Sequence, residues 1–143
     1  MERIKIQLPP TFQFHTIISI RITDINYGGH VGNDTFLSLI HEARLQFLLS
    51  KGYSELNIAG ASLIMADAGI EFKKELLFNQ QVRIWVAADG FDKMGFDLLY
   101  KLEVLINNEW ILAGKAKTGM LCFDYTLKKL IAVPQQAIDF LSK

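Results

Sequence analysis

The sequence holds one cysteine, three prolines and three histidines, no excess of either charge and no long apolar run. Cys122 alone cannot close an intrachain disulfide. With the three scattered histidines it offers no spacing of the C-x-x-C or H-E-x-x-H kind, so no metal site is expected. Fifteen Lys plus Arg balance fifteen Asp plus Glu, and the isoelectric point lies near 6.8. That leaves no overall positive field to hold nucleic acid. No stretch approaches the ~18–20 apolar residues that span a bilayer, and the opening Met-Glu-Arg-Ile-Lys-Ile lacks the basic-then-apolar layout of a secretory signal. The expectation is a cytoplasmic protein. Disorder is excluded by the other half of the composition, because 50% of the residues are hydrophobic and only 21% charged. The 143 residues leave room for one compact domain over 1–143, set against roughly 100–200 residues per domain. So much apolar surface on so small a chain favours a homo-oligomer, a dimer or a tetramer.

What is present is a strict order of periodic segments. From Phe14 to Ile22, alternation puts Phe14, Ile18, Ile20 and Ile22 on one side and His15, Ser19 and Arg21 largely on the other, which predicts a first strand. A turn-rich stretch from Asp24 to Asn33 interrupts it. Asp34 to Lys51 then carries Phe36, Ile40, Ala43 and Phe47 at helical spacing, with Leu37, Leu39, Leu45, Leu48 and Leu49 widening the apolar arc. Asn33 or Asp34 is its expected N-cap and Gly52 its stop. Period-2 runs follow over Ser62–Lys74, Gln81–Ala88, Phe96–Ile106 and Trp110–Tyr125, with a hairpin turn at Asn107-Asn108 and another at Asp92–Gly95. A short amphipathic helix over Gln135–Leu141 follows Pro134. Strand, long helix, then four strands predicts an α+β fold with one curved antiparallel sheet of about five strands around one long central helix.

The stretch DINYGGHVGNDTFLSLIHEARLQFLLSKG resembles the signature of the hotdog-fold thioesterases, which runs D-x-D, a glycine-containing turn, H-V-N-N, a helical aromatic and E-x-R or E-A-R. Its places are Asp24, Asn26, Gly29, His30, Val31, Gly32, Asn33, Phe36 and Glu42-Ala43-Arg44. Further on, IEFKKEL resembles the strand end of the acyl-carrier-protein thioesterases of this group, at Phe72, Lys73, Lys74 and Glu75. The resemblance implies hydrolysis of an acyl thioester, acyl-CoA or acyl-carrier protein, at a helix N-terminus in a subunit interface, with no cofactor. Two departures stand out. In the hydroxybenzoyl-CoA thioesterase branch the carboxylate that attacks or activates water sits where this chain has Asn26, and an amide cannot be a base. In the acyl-carrier-protein branch the working Asp, Asn, His and Glu correspond to Asn26, Gly28, His30 and Glu75, so only the last two are kept.

Thioester hydrolysis needs a group to deprotonate water and donors to hold the oxyanion. The turn leading into the long helix supplies free backbone N–H groups and the positive dipole end, which makes the N–H groups of Gly32 and Asn33 the oxyanion candidates. The same glycines also fit an ordinary turn before a capped helix. For the base the order is Glu75, His30, Asp24. Glu75 is alternatively a solvated acid beside Lys73 and Lys74, His30 a scaffold for the turn, and Asp24 its brace. Asn26 orients water or the thioester carbonyl through its amide, or closes an Asx-turn. The catalytic set is therefore Asn26, His30 and Glu75, and the substrate-binding set Asp24, Tyr27, Gly29, Gly32, Asn33, Glu42 and Lys93. Lys93, with Lys73 and Lys74, is placed to meet CoA phosphates, unless it is simply solvated. Asp67, in an apolar run, is a substitute acid or a solvent-facing residue. Phe91, Phe96, Trp85 and Trp110 line an acyl pocket or belong to the core.

Three readings follow: an acyl-CoA thioesterase, an acyl-thioester-binding protein whose catalysis is impaired by Asn26, and a hydratase or dehydratase on an acyl thioester.

Overall fold

A computed structural model describes all 143 residues. In chain order the elements are β1 (Phe14–Ser19), α1 (Asn33–Ser50), β2 (Ser62–Phe72), β3 (Gln81–Asp89), β4 (Gly95–Ile106), β5 (Glu109–Asp124), β6 (Lys129–Leu130) and α2 (Gln135–Leu141). One antiparallel sheet runs β1-β3-β4-β5-β2, with the two-residue β6 added beside β5. The alternation of the strands survives in the register except at two irregularities, at Ala66 in β2 and at Ala113 in β5. Phe14 faces Val86, Tyr100 faces Val86 and Ala116, and Ile70 faces Ala116, so these side chains share the face that receives α1. The fold is the α+β arrangement expected, a curved sheet around one long helix, with the core between them.

The helix lays Phe36, Leu39, Ile40, Ala43, Phe47 and Leu48 on the sheet, each at most 4% exposed. Its apolar arc is wider than the sheet covers, because a sheet reaches only one side of a cylinder, and Leu45 and Leu49 remain exposed. Gly52, at φ +77°, ends the helix as its sequence implies, in a left-handed conformation that costs glycine little. The start differs from expectation. Gly32 is the N-cap and no side chain caps the helix, so neither Asn33 nor Asp34 does so. The first strand is also shorter than its alternation suggests. It ends at Ser19, and a 3-10 turn over Ile22–Asp24 carries Ile22 out to solvent.

Both hairpin turns form. Asn107 and Asn108 adopt φ of 50° and 62°, as a two-residue turn matched to strand twist requires. Asp92 Oδ1 accepts from the N–H groups of Met94 and Gly95 in the other. One polar chain crosses the core: the buried Arg44 guanidinium reaches Tyr100 Oη at 3.5 Å, and that hydroxyl meets Thr118 Oγ1 at 2.8 Å. Toward the surface, Arg44 and His41 both face Glu55, at 3.5 and 2.7 Å. Arg44 Nε is near Glu55 but not aligned for a hydrogen bond. Burial pushes the Tyr100 phenol above its ordinary range. No helix is long and apolar enough to cross a membrane.

Candidate functional site

The loop between β1 and α1 is built by local hydrogen bonds. Arg21 N–H donates to Asp24 Oδ2 at 2.8 Å and its guanidinium meets Oδ1 at 3.3 Å, so the buried Asp24 carboxylate is engaged beneath the loop in bracing the 3-10 turn. Asn26 then organises the tip. Its Oδ1 accepts from Gly28 N–H at 2.9 Å, its own N–H donates to His30 O at 2.9 Å, and its carbonyl accepts from Gly29 N–H at 3.1 Å. This is an Asx-turn. Gly29 sits at φ +83°, where a side chain would be strained. Gly32 is needed for closeness instead: a Cβ there would stand 2.7 Å from Asp34 Oδ1 and 3.0 Å from Asn26 Nδ2. With no side-chain cap, the N–H groups of the first turn of α1 are free, and the dipole adds partial positive charge.

Glu75 reaches this loop because β2 leaves the sheet after Phe72. The N–H groups of Lys73 and Lys74 both donate to Ala113 O, at 2.9 and 3.1 Å, which turns the chain out of the ladder. Val31 N–H then donates to Leu76 O at 2.9 Å and ties the segment to the loop ahead of α1. The result sets Glu75 Oε1 3.8 Å from His30 Nε2, an ion-pair separation longer than a hydrogen bond. His30 Nδ1 lies 3.2 Å from Val31 O, a contact satisfied by a proton on Nδ1, which leaves Nε2 as the ring atom toward Glu75.

A cavity of about 490 Å³ opens here. Its polar side is His30, Asn33, Lys73, Lys74 and Glu75, and its apolar side Val31, Phe36 and Phe72. Phe36 and Phe72 meet edge to face, with centroids 5.0 Å apart and planes at 73°. The combination can hold an apolar group against the rings and set a polar, anionic-in-transit centre against the helix N-terminus.

Of the catalytic and substrate-binding residues read from the sequence, His30, Asn33 and Glu75 line this cavity, together with Lys73 and Lys74. Gly29 and Gly32 shape the loop beside it, Asn26 is engaged in its turn, and Tyr27 projects fully into solvent. Glu42 is elsewhere, on the exposed side of α1 with Gln46 Nε2 at 3.2 Å. Lys93 lies in the turn before β4, where its carbonyl accepts from Val133 N–H. Asp67 is exposed, and its carboxyl is held below the usual range by hydrogen bonds from Lys117 and from Gly119 N–H. Of the aromatics read as acyl pocket or core, none lines this cavity and Phe96 lies in the core. Trp85 and Trp110 flank the Arg83 guanidinium on the sheet face away from α1, and Phe91 stacks on Phe96. The Phe36–Phe72 pair was visible in the sequence only as two motif aromatics, with nothing to show that they touch.

The model of the thioesterase-like superfamily matches residues 20–141. A protein of Aquifex aeolicus (strain VF5), named as an esterase candidate, is 24% identical over 115 residues, covering 79% of this chain and 85% of its own. The 1,4-dihydroxy-2-naphthoyl-CoA thioesterase Slr0204 from Synechocystis superposes with a TM-score of 0.79 at 21% identity, over 90% of this chain and 94% of the other. A 4-hydroxybenzoyl-CoA thioesterase mutant complexed with 4-hydroxybenzoyl-CoA does so with a TM-score of 0.79 at 14% identity, over 90% and 98%. These structures share the fold, and a family match that runs from the end of the first strand to the last helix means that this chain belongs to the thioesterase-like superfamily.

Proposed function

We propose that this protein hydrolyses an acyl-CoA thioester to the free acid and CoA in the cavity between α1 and the end of β2. The observation that carries the reading is the pairing of Glu75 and His30 at 3.8 Å beside the uncapped N-terminus of α1, with an apolar wall behind it. Glu75 is the general base. It takes a proton from water as the water oxygen bonds to the thioester carbon, and His30, as the imidazolium with a second proton on Nε2, orients it. The carbonyl oxygen, turning to oxyanion, receives N–H groups of Gly32 and Asn33 and the helix dipole; in other oxyanion holes the loss of one donor costs ~10²–10³ in rate. The C–S bond then breaks, and the proton held on Glu75 passes to the leaving CoA sulfur. Lys73 and Lys74 at the mouth face the CoA phosphates.

The reading includes a homodimer or homotetramer. β2 is an edge strand, and Met65, Ala66, Asp67 and Ala68 along it are exposed, which is how a strand awaiting a second strand looks. Two neighbours, named for naphthoyl-CoA and hydroxybenzoyl-CoA chemistry, support CoA rather than acyl-carrier protein as the carrier.

A second reading keeps the acyl-CoA but not its turnover. It rests on Asn26, an amide whose oxygen is already engaged by Gly28 N–H at the place where the resemblance expects a carboxylate. Free-thiol release from a panel of short, long and aromatic acyl-CoAs separates the two. Turnover establishes the hydrolase, and tight calorimetric binding without thiol release establishes the binding protein.

A further inference from the structure

The face of β5 turned to α1 carries small side chains at its cavity end, Gly114 and Ala116, both buried. Gly114 stands opposite Phe72 on one side and Leu102 on the other. The Phe36 ring fills the room that this glycine leaves. Its Cε1 lies 3.3 Å from where a Gly114 Cβ would be, and the residue is only 2% exposed. On its other side the same ring supports Phe72, which is 54% exposed. Phe36 thus plugs a trough between helix and sheet and forms the inner end of the cavity.

We propose that Phe36, seated on Gly114, is the residue that sets acyl length, so that the site takes compact planar acyl groups and turns away extended alkyl chains. The proposal rests on the hydrolase reading for its substrate and goes further in naming the stop. Two rings near perpendicular form a corner in which a flat acyl group stacks on one ring and meets the edge of the other. Inward of this corner the space is held by the Phe36 ring, so a chain extended in that direction meets it. That space is closed by a well-packed side chain, and interiors yield little to such a demand. Gly114 matters equally, since a methyl group there would stand 3.1 Å from Glu71 O and 3.3 Å from Phe36 Cε1, and of the two neighbours the ring is the one that gives, toward the cavity.

The test compares wild type, Phe36→Leu and Gly114→Ala on benzoyl-CoA and n-octanoyl-CoA. The quantity read is the octanoyl-to-benzoyl ratio of kcat/KM. Phe36→Leu is expected to raise it about tenfold or more, the scale on which hydrophobic pockets discriminate chain length, and Gly114→Ala to lower it. A merely structural role changes the melting temperature and leaves the ratio alone. Ratios within about threefold of wild type in both variants overturn the proposal. Should Phe36→Leu not fold, Gly114→Ala decides alone, and an unchanged or raised ratio counts against it. The thioethers benzyl-CoA and octyl-CoA, measured by calorimetry, give the same ratio as affinities without chemistry. A shift there with no thiol release from any thioester keeps Phe36 as the stop and removes the hydrolase reading, whereas failure of both thioethers to bind wild type removes both.

Discussion

His30 Nε2 faces Glu75 Oε1 across 3.8 Å, although the long helix and all of β2 lie between them in the chain. The approach is enforced from the backbone, by the two N–H groups that turn the chain out of the sheet at Ala113 and by the Val31–Leu76 hydrogen bond. Side-chain attraction does not have to find this geometry, because the main chain has already set it.

Glu75→Gln keeps the shape and removes the base. Thiol release by this variant is expected to fall in kcat by about 10²–10⁴, with KM little changed. His30→Ala is expected to lose less, since it deletes an orienting ring. A Glu75→Gln enzyme within threefold of wild type would sink the assignment of the base.

Asn26→Asp is isosteric and its oxygen can still accept from Gly28 N–H, so the Asx-turn survives. With Glu75 as base, kcat/KM is expected to stay within about threefold. A gain of a hundredfold or more would identify position 26 as the silenced site of the binding-protein reading.

A carboxylate ties the segment ahead of β1 to the sheet, beside the packing of Phe12 on Trp85. Glu71 Oε2 accepts from Ile6 N–H at 2.6 Å, and this bond, then the nearby Lys73 ammonium, holds the Glu71 carboxyl below its ordinary 4.5. Because the folded value is depressed, the tether is fully present above pH 4.5 and is lost as pH falls through the lower folded value. The amide resonance of Ile6, followed by NMR as neutral solution is acidified, is expected to move with that titration. In Glu71→Gln the titration should vanish, and an Ile6 resonance that still follows the acid limb in that variant contradicts the assignment.

Cys122 faces the core on β5 and is fully buried, and burial pushes its thiol up to about 11. At neutral pH almost no thiolate is present. Iodoacetamide is expected to leave the native protein unmodified over hours and to alkylate it rapidly in denaturant, read by intact mass. Rapid alkylation of the folded protein would show a more open core than this one.

Much of this architecture is written locally. The helix over α1, its stop at Gly52, the Asn107-Asn108 hairpin and the alternation of the later strands follow from side-chain periodicity and backbone preference, which depend on neighbours in sequence. The motif around His30 and the EAR element pointed to the family by their resemblance to its signature. Periodicity and capping preference failed where other contacts competed with them. Ile22 continued the alternation of β1, yet Asp24 drew the chain into a 3-10 turn. Asn33 and Asp34 suited an N-cap, yet the chain enters the helix from a buried Gly32 against Asn26. Trp85 and Trp110 fitted either a pocket or the core, because strand alternation cannot say which face is the core, and they flank Arg83 on the other one.

The sequence by itself determined the elements, their order and the family, because periodicity, turn chemistry and motif spacing are properties of short stretches. Only the tertiary structure decided that Glu75 meets His30, that Phe36 closes the cavity over Gly114, and that Glu42, Lys93 and Asp67 stand apart. Those relationships arise where distant segments pack, and close packing between segments leaves no periodic trace in either of them.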